Sequence, residues 1–348
     1  MAHDLVIVFN YLKIDIITIM HYHYHYDYQF MLLVTRSQEM LKYVSASILS
    51  LVLLITAACG TSASTSSTTL TNRISGGVIQ VVAAENFWGS IASQLGGTHV
   101  HVVSIVTDPN ADPHEYEVNS GDALDFARAN YVILNGAGYD DWGQKLLDAN
   151  PVSGRKVFNV ADLLGKVEGD NPHFWYDPDY VQQVIKQITS DYQSLDPADA
   201  SYFSQEQAAF ETALTPYMQR IASIKQSFSG TNIGGTESIV VYLANALGLN
   251  LISPPAFMNA VAEGNDPPID AVAEFEQQIS QKQISVLVYN VQTATAVTTN
   301  LKEMADQENI PVVGISETMQ PPDATFQEWM DAELVTMQNA LNANSLTQ

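Results

Sequence analysis

The sequence predicts an α/β fold of two Rossmann-like lobes with parallel sheets, joined by one long α-helix. Short apolar runs alternate with amphipathic segments along most of the chain, a rhythm typical of parallel sheets with helices on both faces. The alternation stops once, between residues 197 and 228, and then resumes. With 348 residues, of which 46% are hydrophobic and 15% charged, the chain is long enough for two domains of ordinary size.

The first predicted lobe, residues 76–196, begins with a strand at Val78–Ala84 (VIQVVAA) and a helix at Phe87–Leu95, which ends at two glycines. The remaining elements of this lobe are strand Val100–Ile105, a helix capped by Ser120 that ends at Arg128, strand Tyr131–Leu134, helix Trp142–Ala149, strand Val157–Val160 and a helix with Val181, Val184, Ile185 and Ile188 on its apolar face.

The segment 197–229 is predicted to be the connecting helix. Apolar residues recur in it at spacings of three and four up to Phe228, the period of an amphipathic helix. Pro216 falls inside this pattern, and we expect it to kink the helix because proline lacks the amide hydrogen that a helix interior requires.

The second predicted lobe, residues 230–348, resumes the alternation. Its elements are strand Ile233–Gly235, helix Ser238–Leu247, strand Ile284–Tyr289, helix Val297–Glu308, strand Pro311–Ile315 and helix Thr325–Leu341. Residues 263–268 (EGNDPP) are predicted to form a surface loop, with a contact surface for a partner protein as an alternative.

The composition excludes several classes of function. Fourteen Lys and Arg oppose 38 Asp and Glu, for a net charge of −24, which disfavours nucleic-acid binding because like charges repel. A single cysteine, Cys59, excludes an intramolecular disulfide framework and a cysteine-rich metal site. P-loop and GxGxxG motifs and a Ser-His-Asp arrangement are not evident.

The amino-terminal 58 residues are predicted to be an extension followed by a signal peptide. Val44–Ala58 is an uncharged apolar run that ends in small residues before Cys59, as in bacterial lipoproteins whose cysteine is acylated. Met40 is the natural start of this signal, and the histidine-rich tract upstream of it is assigned no function. Residues 59–75 form a Ser/Thr-rich tether. We therefore expect an extracytoplasmic, lipid-anchored protein; a plain secretory signal with a free cysteine is the alternative.

Two histidines lie in turn-rich loops, each directly after a proline. His114 lies in DPNADPHEYE and His173 in NPHFWYDP, so proline stiffens both loops and acidic and aromatic residues flank both rings. Ligands of open parallel sheets bind beyond the carboxyl ends of strands, where such loops lie. His99 and His101 are interpreted instead as exposed positions at a strand edge.

These motifs, together with ENFWGSIASQLGG (Glu85–Gly97) and TESIVVYLANALGL (Thr236–Leu249), resemble the solute-binding lipoproteins of zinc/manganese ABC importers, the cluster A-I metal receptors. The resemblance covers about residues 76–342. It implies two lobes, a rigid connecting helix and one metal ion bound in the cleft between the lobes.

The resemblance also implies the metal ligands. His114 and His173 match the two family histidines, Glu237 holds the third position, which is His or Glu in the family, and Glu317 matches the acid after the last strand, which is usually Asp. Asn290 and Gln292, after the strand that ends at Tyr289, are possible substitute ligands.

This donor set favours zinc, with manganese as the runner-up. Two imidazoles and two carboxylates form a neutral complex with a divalent cation and suit tetrahedral Zn²⁺, whereas a bidentate carboxylate would also suit Mn²⁺. Since metal binding requires neutral imidazoles, acidification should weaken it.

The function predicted from the sequence is capture of Zn²⁺ or Mn²⁺ and its delivery to an ABC permease by a monomeric receptor that is not an enzyme. A surface adhesin on the same fold is one alternative. A zinc-dependent hydrolase, with Glu115 beside His114 as its base, is another, but the sequence lacks an HExxH motif.

Overall fold

The computed structural model of this chain describes residues 77–110, 113 and 116–345. The predicted signal peptide, the tether at 59–75, Cys59 and His114 lie outside these residues. Within the described ranges, no helix combines the length and the apolar character needed to cross a membrane.

Four parallel strands form the first sheet: β1 (Ile79–Glu85), β2 (Val100–Val106), β3 (Tyr131–Leu134) and β4 (Lys156–Asn159). Their order is β2-β1-β3-β4, with Val82 of β1 beside Val103 on one side and Val132 on the other. The chain therefore turns to opposite sides of β1, which opens a crevice beyond the carboxyl ends of β1 and β3.

In the described part of the chain, five helices accompany this sheet: α1 (Asn86–Gly96), α2 (Ser120–Arg128), α3 (Asp141–Ala149), α4 (Val160–Leu164) and α5 (Pro178–Leu195). Their starts follow from local hydrogen bonding. The Asn119 side chain accepts the amides of Gly121 and Asp122 in the first turn of α2, and the Asp122 carboxylate accepts the Asn119 amide. Val160 belongs to α4 and not to the predicted strand, because the Asn159 side chain accepts the Asp162 amide and starts a helix there.

The predicted connecting helix is divided into two helices. A short 3₁₀ turn at Pro197–Asp199 precedes α6 (Ala200–Ala213), and α7 (Thr215–Phe228) follows after Leu214 alone. The predicted disturbance by Pro216 is present as a break, which corrects the expectation of one continuous helix. Pro216 has no amide hydrogen for the carbonyl one turn earlier, so the helical ladder is interrupted here.

The second sheet repeats the architecture of the first. Its parallel strands β5 (Asn232–Gly235), β6 (Asn250–Leu251), β7 (Leu287–Asn290) and β8 (Val312–Ile315) lie in the order β6-β5-β7-β8. Its helices are α8 (Val240–Leu247), α9 (Pro255–Ala262), α10 (Ile269–Ser280), α11 (Ala296–Gln307) and α12 (Phe326–Ser345). The sequence analysis did not predict β6, α9 or α10. Residues 263–268 connect α9 to α10 and are mostly exposed, as predicted for a surface loop.

The two sheets share one hydrophobic core. Along β1 the side chains alternate, so that Val81 and Ala83 face this shared core while Val82 and Ala84 pack on the outer side with Phe126. The shared core runs from the first strand to the last helix and includes residues of both sheets. The predicted α/β class with two parallel sheets is confirmed, whereas the boundaries of the two lobes stay a prediction.

Candidate metal site

Three predicted ligands meet beyond the carboxyl ends of the strands. His173 Nε2 lies 3.6 Å from Glu237 Oε1 and 3.7 Å from Glu317 Oε2, and all three side chains are fully buried. One ligand atom from each residue lies within 4.8 Å of the other two. Two donors bound at about 2.1 Å to one tetrahedral ion lie about 3.4 Å apart, so these separations are those of ligands around one cation.

The orientation of His173 is set by its own loop. Nδ1 lies 2.7 Å from Asn171 Oδ1, which also accepts the His173 backbone amide at 3.0 Å. Because the amide oxygen only accepts hydrogen bonds, we assign the ring hydrogen to Nδ1, and Nε2 presents its lone pair to the two carboxylates. The ring packs edge-on against Trp175 and Tyr139, with centroids 5.2 and 6.1 Å away.

Glu237 follows β5 and is held at the start of the turn into α8. Its Oε1 accepts the Ile239 amide at 3.1 Å, and its Oε2 accepts Asn290 Nδ2 at 2.5 Å. Gly235 permits this turn because a Cβ there would lie 2.3 Å from Cγ1 of Val240, closer than real side chains approach.

Glu317 follows β8 and is held from both sheets. Tyr139, on the loop after β3, donates its hydroxyl to Glu317 Oε2 at 2.8 Å. Asn290 Nδ2 donates to Glu317 Oε1 at 2.8 Å, and the Glu317 amide donates to Gln292 Oε1 at 2.6 Å. Both oxygens of this carboxylate are therefore positioned by hydrogen bonds.

The possible substitute ligands, Asn290 and Gln292, surround the carboxylates. The Asn290 amide nitrogen faces Glu237 and Glu317, while its oxygen accepts the Gln292 amide at 3.0 Å. The Gln292 oxygen accepts the amides of Glu317 and Thr318. Their polar atoms are thus engaged in orienting the acidic residues, a supporting role that metal sites commonly need.

His114 lies outside the described residues, but the strand that leads toward it ends beside the site. Gln320 Nε2 donates to the Pro109 carbonyl at 3.0 Å, and Thr318 Oγ1 donates to the Asp108 carbonyl at 3.5 Å. The loop after β2 is therefore attached to the segment that follows β8.

A further set of hydrogen bonds holds the His173 loop against the first sheet. Trp88 Nε1 donates to Asn135 Oδ1 at 3.0 Å, and Asn135 Nδ2 donates to the Pro172 carbonyl at 2.9 Å. The Asp140 carboxylate accepts the amides of Asn135 and Gly136. Burial raises the pKa of Asp140 to about 6, although these amides oppose the rise.

Sequence reasoning missed Tyr139 and Asn171 as members of the site. Tyr139 lies in the glycine-containing loop directly after β3, so the rule that ligands gather at the carboxyl ends of strands could have identified it. Asn171 lies two residues before His173, where an amide that orients a metal-binding imidazole is a reasonable expectation.

Among the residues that the structure describes, the other two histidines, His99 and His101, lie at the opposite end of the first sheet. His101 is exposed on β2, an edge strand, as predicted. His99 is only partly exposed and lies in a second group with Asp196 and Asp199.

Residues 81–340 match the family described as "Zinc-uptake complex component A periplasmic", ZnuA. The chain belongs to the ZnuA family. This membership confirms the resemblance inferred from the motifs, and it makes the chain a metal-binding receptor of an ABC importer and not an enzyme.

Relatives of this ZnuA-family chain carry metal-receptor names. It is 25% identical over 263 residues to the metal ABC transporter substrate-binding lipoprotein FimA of Streptococcus parasanguinis, covering 68% of this chain and 79% of FimA. It is also 25% identical over 261 residues to the manganese ABC transporter substrate-binding lipoprotein PsaA of Streptococcus pneumoniae, covering 67% and 78%.

The fold also matches solved structures. The Mn-bound periplasmic metal binding protein of Candidatus Liberibacter asiaticus superposes with a TM-score of 0.62 at 19% identity, covering 75% of this chain and 98% of that protein. Its Cd-bound form gives the same score, identity and coverage.

Proposed function

We propose that this chain captures one divalent cation at His173, Glu237 and Glu317 and delivers it to the permease of an ABC importer. His114, on the loop after β2, is proposed as the fourth ligand. The observation that carries the proposal is the convergence of one buried imidazole and two buried carboxylates. The imidazole comes from the loop between α4 and α5, and the carboxylates follow β5 and β8.

The burial of the two carboxylates supports a cation as the cargo. Two like charges taken out of water so close together are costly unless a positive charge lies between them or a proton is taken up. With Nε2 of His173 as a neutral donor, the three residues carry the charge needed to neutralise a divalent ion. The neutral imidazole of His114, as the fourth ligand, would complete a tetrahedral set without adding charge.

Zinc is the proposed physiological metal, with manganese as the alternative. Imidazole and carboxylate donors suit Zn²⁺, and Zn²⁺ outcompetes Mn²⁺ at most such sites. Manganese is supported by the name of the PsaA relative and by the Mn-bound neighbour in the fold comparison. A direct competition between the two ions distinguishes these possibilities.

The proposal extends to the placement of the protein. Acylation of Cys59 would anchor the chain to the outer side of the membrane, and residues 59–75 would let the receptor, as a monomer, reach its permease.

The shared core of the two sheets favours metal capture by rearranged loops over a large rotation of the lobes, because separating the lobes would expose apolar surface.

The test is a zinc titration of the full chain and of the His173→Ala and Glu237→Gln variants. His173→Ala removes the imidazole donor and Glu237→Gln removes the negative charge of a carboxylate donor, so each should weaken binding at this site at least about tenfold. Competition against a chromophoric chelator measures the affinity, and repeating the series with Mn²⁺ ranks the two metals.

His101→Ala is the matched control, since this exposed histidine lies on an edge strand outside the site. It should leave the affinity unchanged. Wild-type zinc and manganese affinities in both His173→Ala and Glu237→Gln would overturn the proposal.

A further inference from the structure

A second group of side chains of metal-binding type lies away from the cleft site, the group formed by His173, Glu237 and Glu317. His99 directly precedes β2, Asp196 follows α5, and Asp199 precedes α6. His99 Nδ1 lies 3.2 Å from Asp199 Oδ2, and one ligand atom of each of the three residues lies within 4.8 Å of the others. His99 stands at the amino end of its strand, whereas the residues of the cleft follow carboxyl ends, so the two groups occupy opposite ends of the first sheet.

Asp196 is the observation that points to a cation here. Its side chain is 2% exposed, and no residue of the described part of the chain donates a hydrogen bond to its carboxylate or forms an ion pair with it. Asp191, buried to the same extent, accepts Tyr131 and Gln187 and pairs with Lys156 at 2.8 Å. Because a carboxylate so nearly buried without such partners is costly, a cation held between Asp196, Asp199 and His99 would stabilise it.

The imidazole of this group is held in place by packing. The ring of His99 stacks on Tyr202 with centroids 4.2 Å apart and meets Phe203 edge-on at 5.8 Å. The Tyr202 hydroxyl in turn accepts the Thr98 amide at 3.1 Å. The ring therefore faces Asp199 without having to be ordered by the ligand, which favours binding.

We propose that His99, Asp196 and Asp199 form a second divalent-cation site, separate from the cleft and suited to Zn²⁺. Imidazole nitrogen and carboxylate oxygen are both zinc ligands, and three protein ligands leave a fourth position for water. An all-oxygen site would be expected for Mg²⁺ or Ca²⁺, so the imidazole selects against them. A bound ion would join the edge of the first sheet to the junction of α5 and α6.

The experiment counts zinc equivalents by equilibrium dialysis and locates them by anomalous scattering at the zinc edge, using the full chain and Zn²⁺ alone. We expect the double variant Asp196→Asn, Asp199→Asn to bind one equivalent fewer than wild type. We also expect an anomalous peak beside His99 Nδ1 in wild-type crystals. His101→Ala, two residues from His99, should bind as many equivalents as wild type.

A second variant distinguishes loss of the metal site from misfolding of the double variant. His99→Gln leaves both carboxylates in place and should lower affinity at this site at least about tenfold, with the helix content measured by circular dichroism unchanged. Equal equivalents in wild type and in the double variant, or wild-type crystals without a peak at this position, would refute the site.

The test of the second site does not depend on the function proposed for the cleft site. The variant His173→Ala should keep the equivalent bound by His99, Asp196 and Asp199 while losing affinity in the cleft. If His173→Ala binds like wild type and the double variant loses one equivalent, the cleft proposal fails and the second site stands.

Discussion

Asn290 joins the two carboxylates of the candidate site through a single amide group. Its two amide hydrogens face Glu237 and Glu317, so one neutral side chain satisfies two acidic residues. Both carboxylates are fully buried, so water does not screen their mutual repulsion. Without the Asn290 amide this repulsion would turn them away from each other. The residue thus positions donors for a cation although its own oxygen is turned to Gln292.

Substitution at Glu317 should therefore weaken zinc binding more than substitution at Asn290. Glu317→Ala removes a proposed ligand and a negative charge, whereas Asn290→Ala removes only the group that orients the ligands and should cost about tenfold. The zinc affinities of both variants, measured by chelator competition, provide the check, with exposed Glu303→Ala as control. The reverse order would indicate that Asn290, and not Glu317, is the metal ligand.

The helix α5 connects the His173 motif to the core of the first sheet. Asp177 Oδ1 accepts the amides of Asp179 and Tyr180 at 2.9 and 3.2 Å, and Pro178 occupies the first helical position. Proline is suited to this position because the amide it lacks would have no partner within the helix. The aromatic turn between His173 and the helix is fully buried, so the start of α5 fixes where the loop leaves the core.

Removal of this cap should lower the stability of the protein. We expect Asp177→Ala to reduce the free energy of unfolding by about 1 kcal/mol, because two amides lose their acceptor. Asp179→Ala is the matched control, since this exposed side chain caps nothing and contributes only its charge at the helix start, about 0.3 kcal/mol. Urea unfolding without metal measures both, and equal losses would contradict the capping role.

At the scale of the whole molecule, a buried polar network joins the last helix to the His173 motif. Glu333 of α12 accepts the Ser316 amide at 3.0 Å and Trp329 Nε1 at 3.0 Å. The Tyr176 hydroxyl lies 2.7 Å from Glu333 Oε2 and 2.8 Å from the Ser316 carbonyl, yet it has one hydrogen to donate. A proton on Glu333 resolves this conflict, and burial raises the pKa of Glu333 to about 7.

This network should make the folded protein less stable as the pH rises. The pKa of Glu333 rises from its ordinary value of 4.5 to about 7 on folding. The stabilisation is therefore complete below about pH 4.5 and is lost as the pH rises through about 7. Glu333→Gln mimics the protonated form, so its stability relative to wild type should increase between pH 4.5 and 8 by up to about 3 kcal/mol.

Urea unfolding of both proteins with a chelator present, at several pH values, measures this difference. Buried Glu85 and Asp140 have raised pKa values in both proteins, so subtracting one curve from the other removes their contribution. A difference that does not change with pH would show that Glu333 is ionised in the folded state.

Much of the fold was predictable because its signals are local. The strand Tyr131–Leu134 has the predicted bounds, since an unbroken apolar run is a local signal. The neighbouring helix ends at Arg128 as predicted, but its cap is Asn119 and not Ser120. The two-residue strand β6 was missed because so short a segment carries no period. The break at Leu214 was predicted only as a kink. The position of a proline in the sequence does not show how many backbone hydrogen bonds of the helix are lost around it.

The sequence by itself determined the alternation of strands and helices and the kinds of side chain that follow each strand, because these depend on neighbouring residues. Only the tertiary structure decided which of these side chains meet. Tyr139 reaches Glu317 across 178 positions of sequence, and His99 reaches Asp199 because α6 packs against the edge of the first sheet. Such contacts arise from the packing of whole elements, which local spacing does not encode.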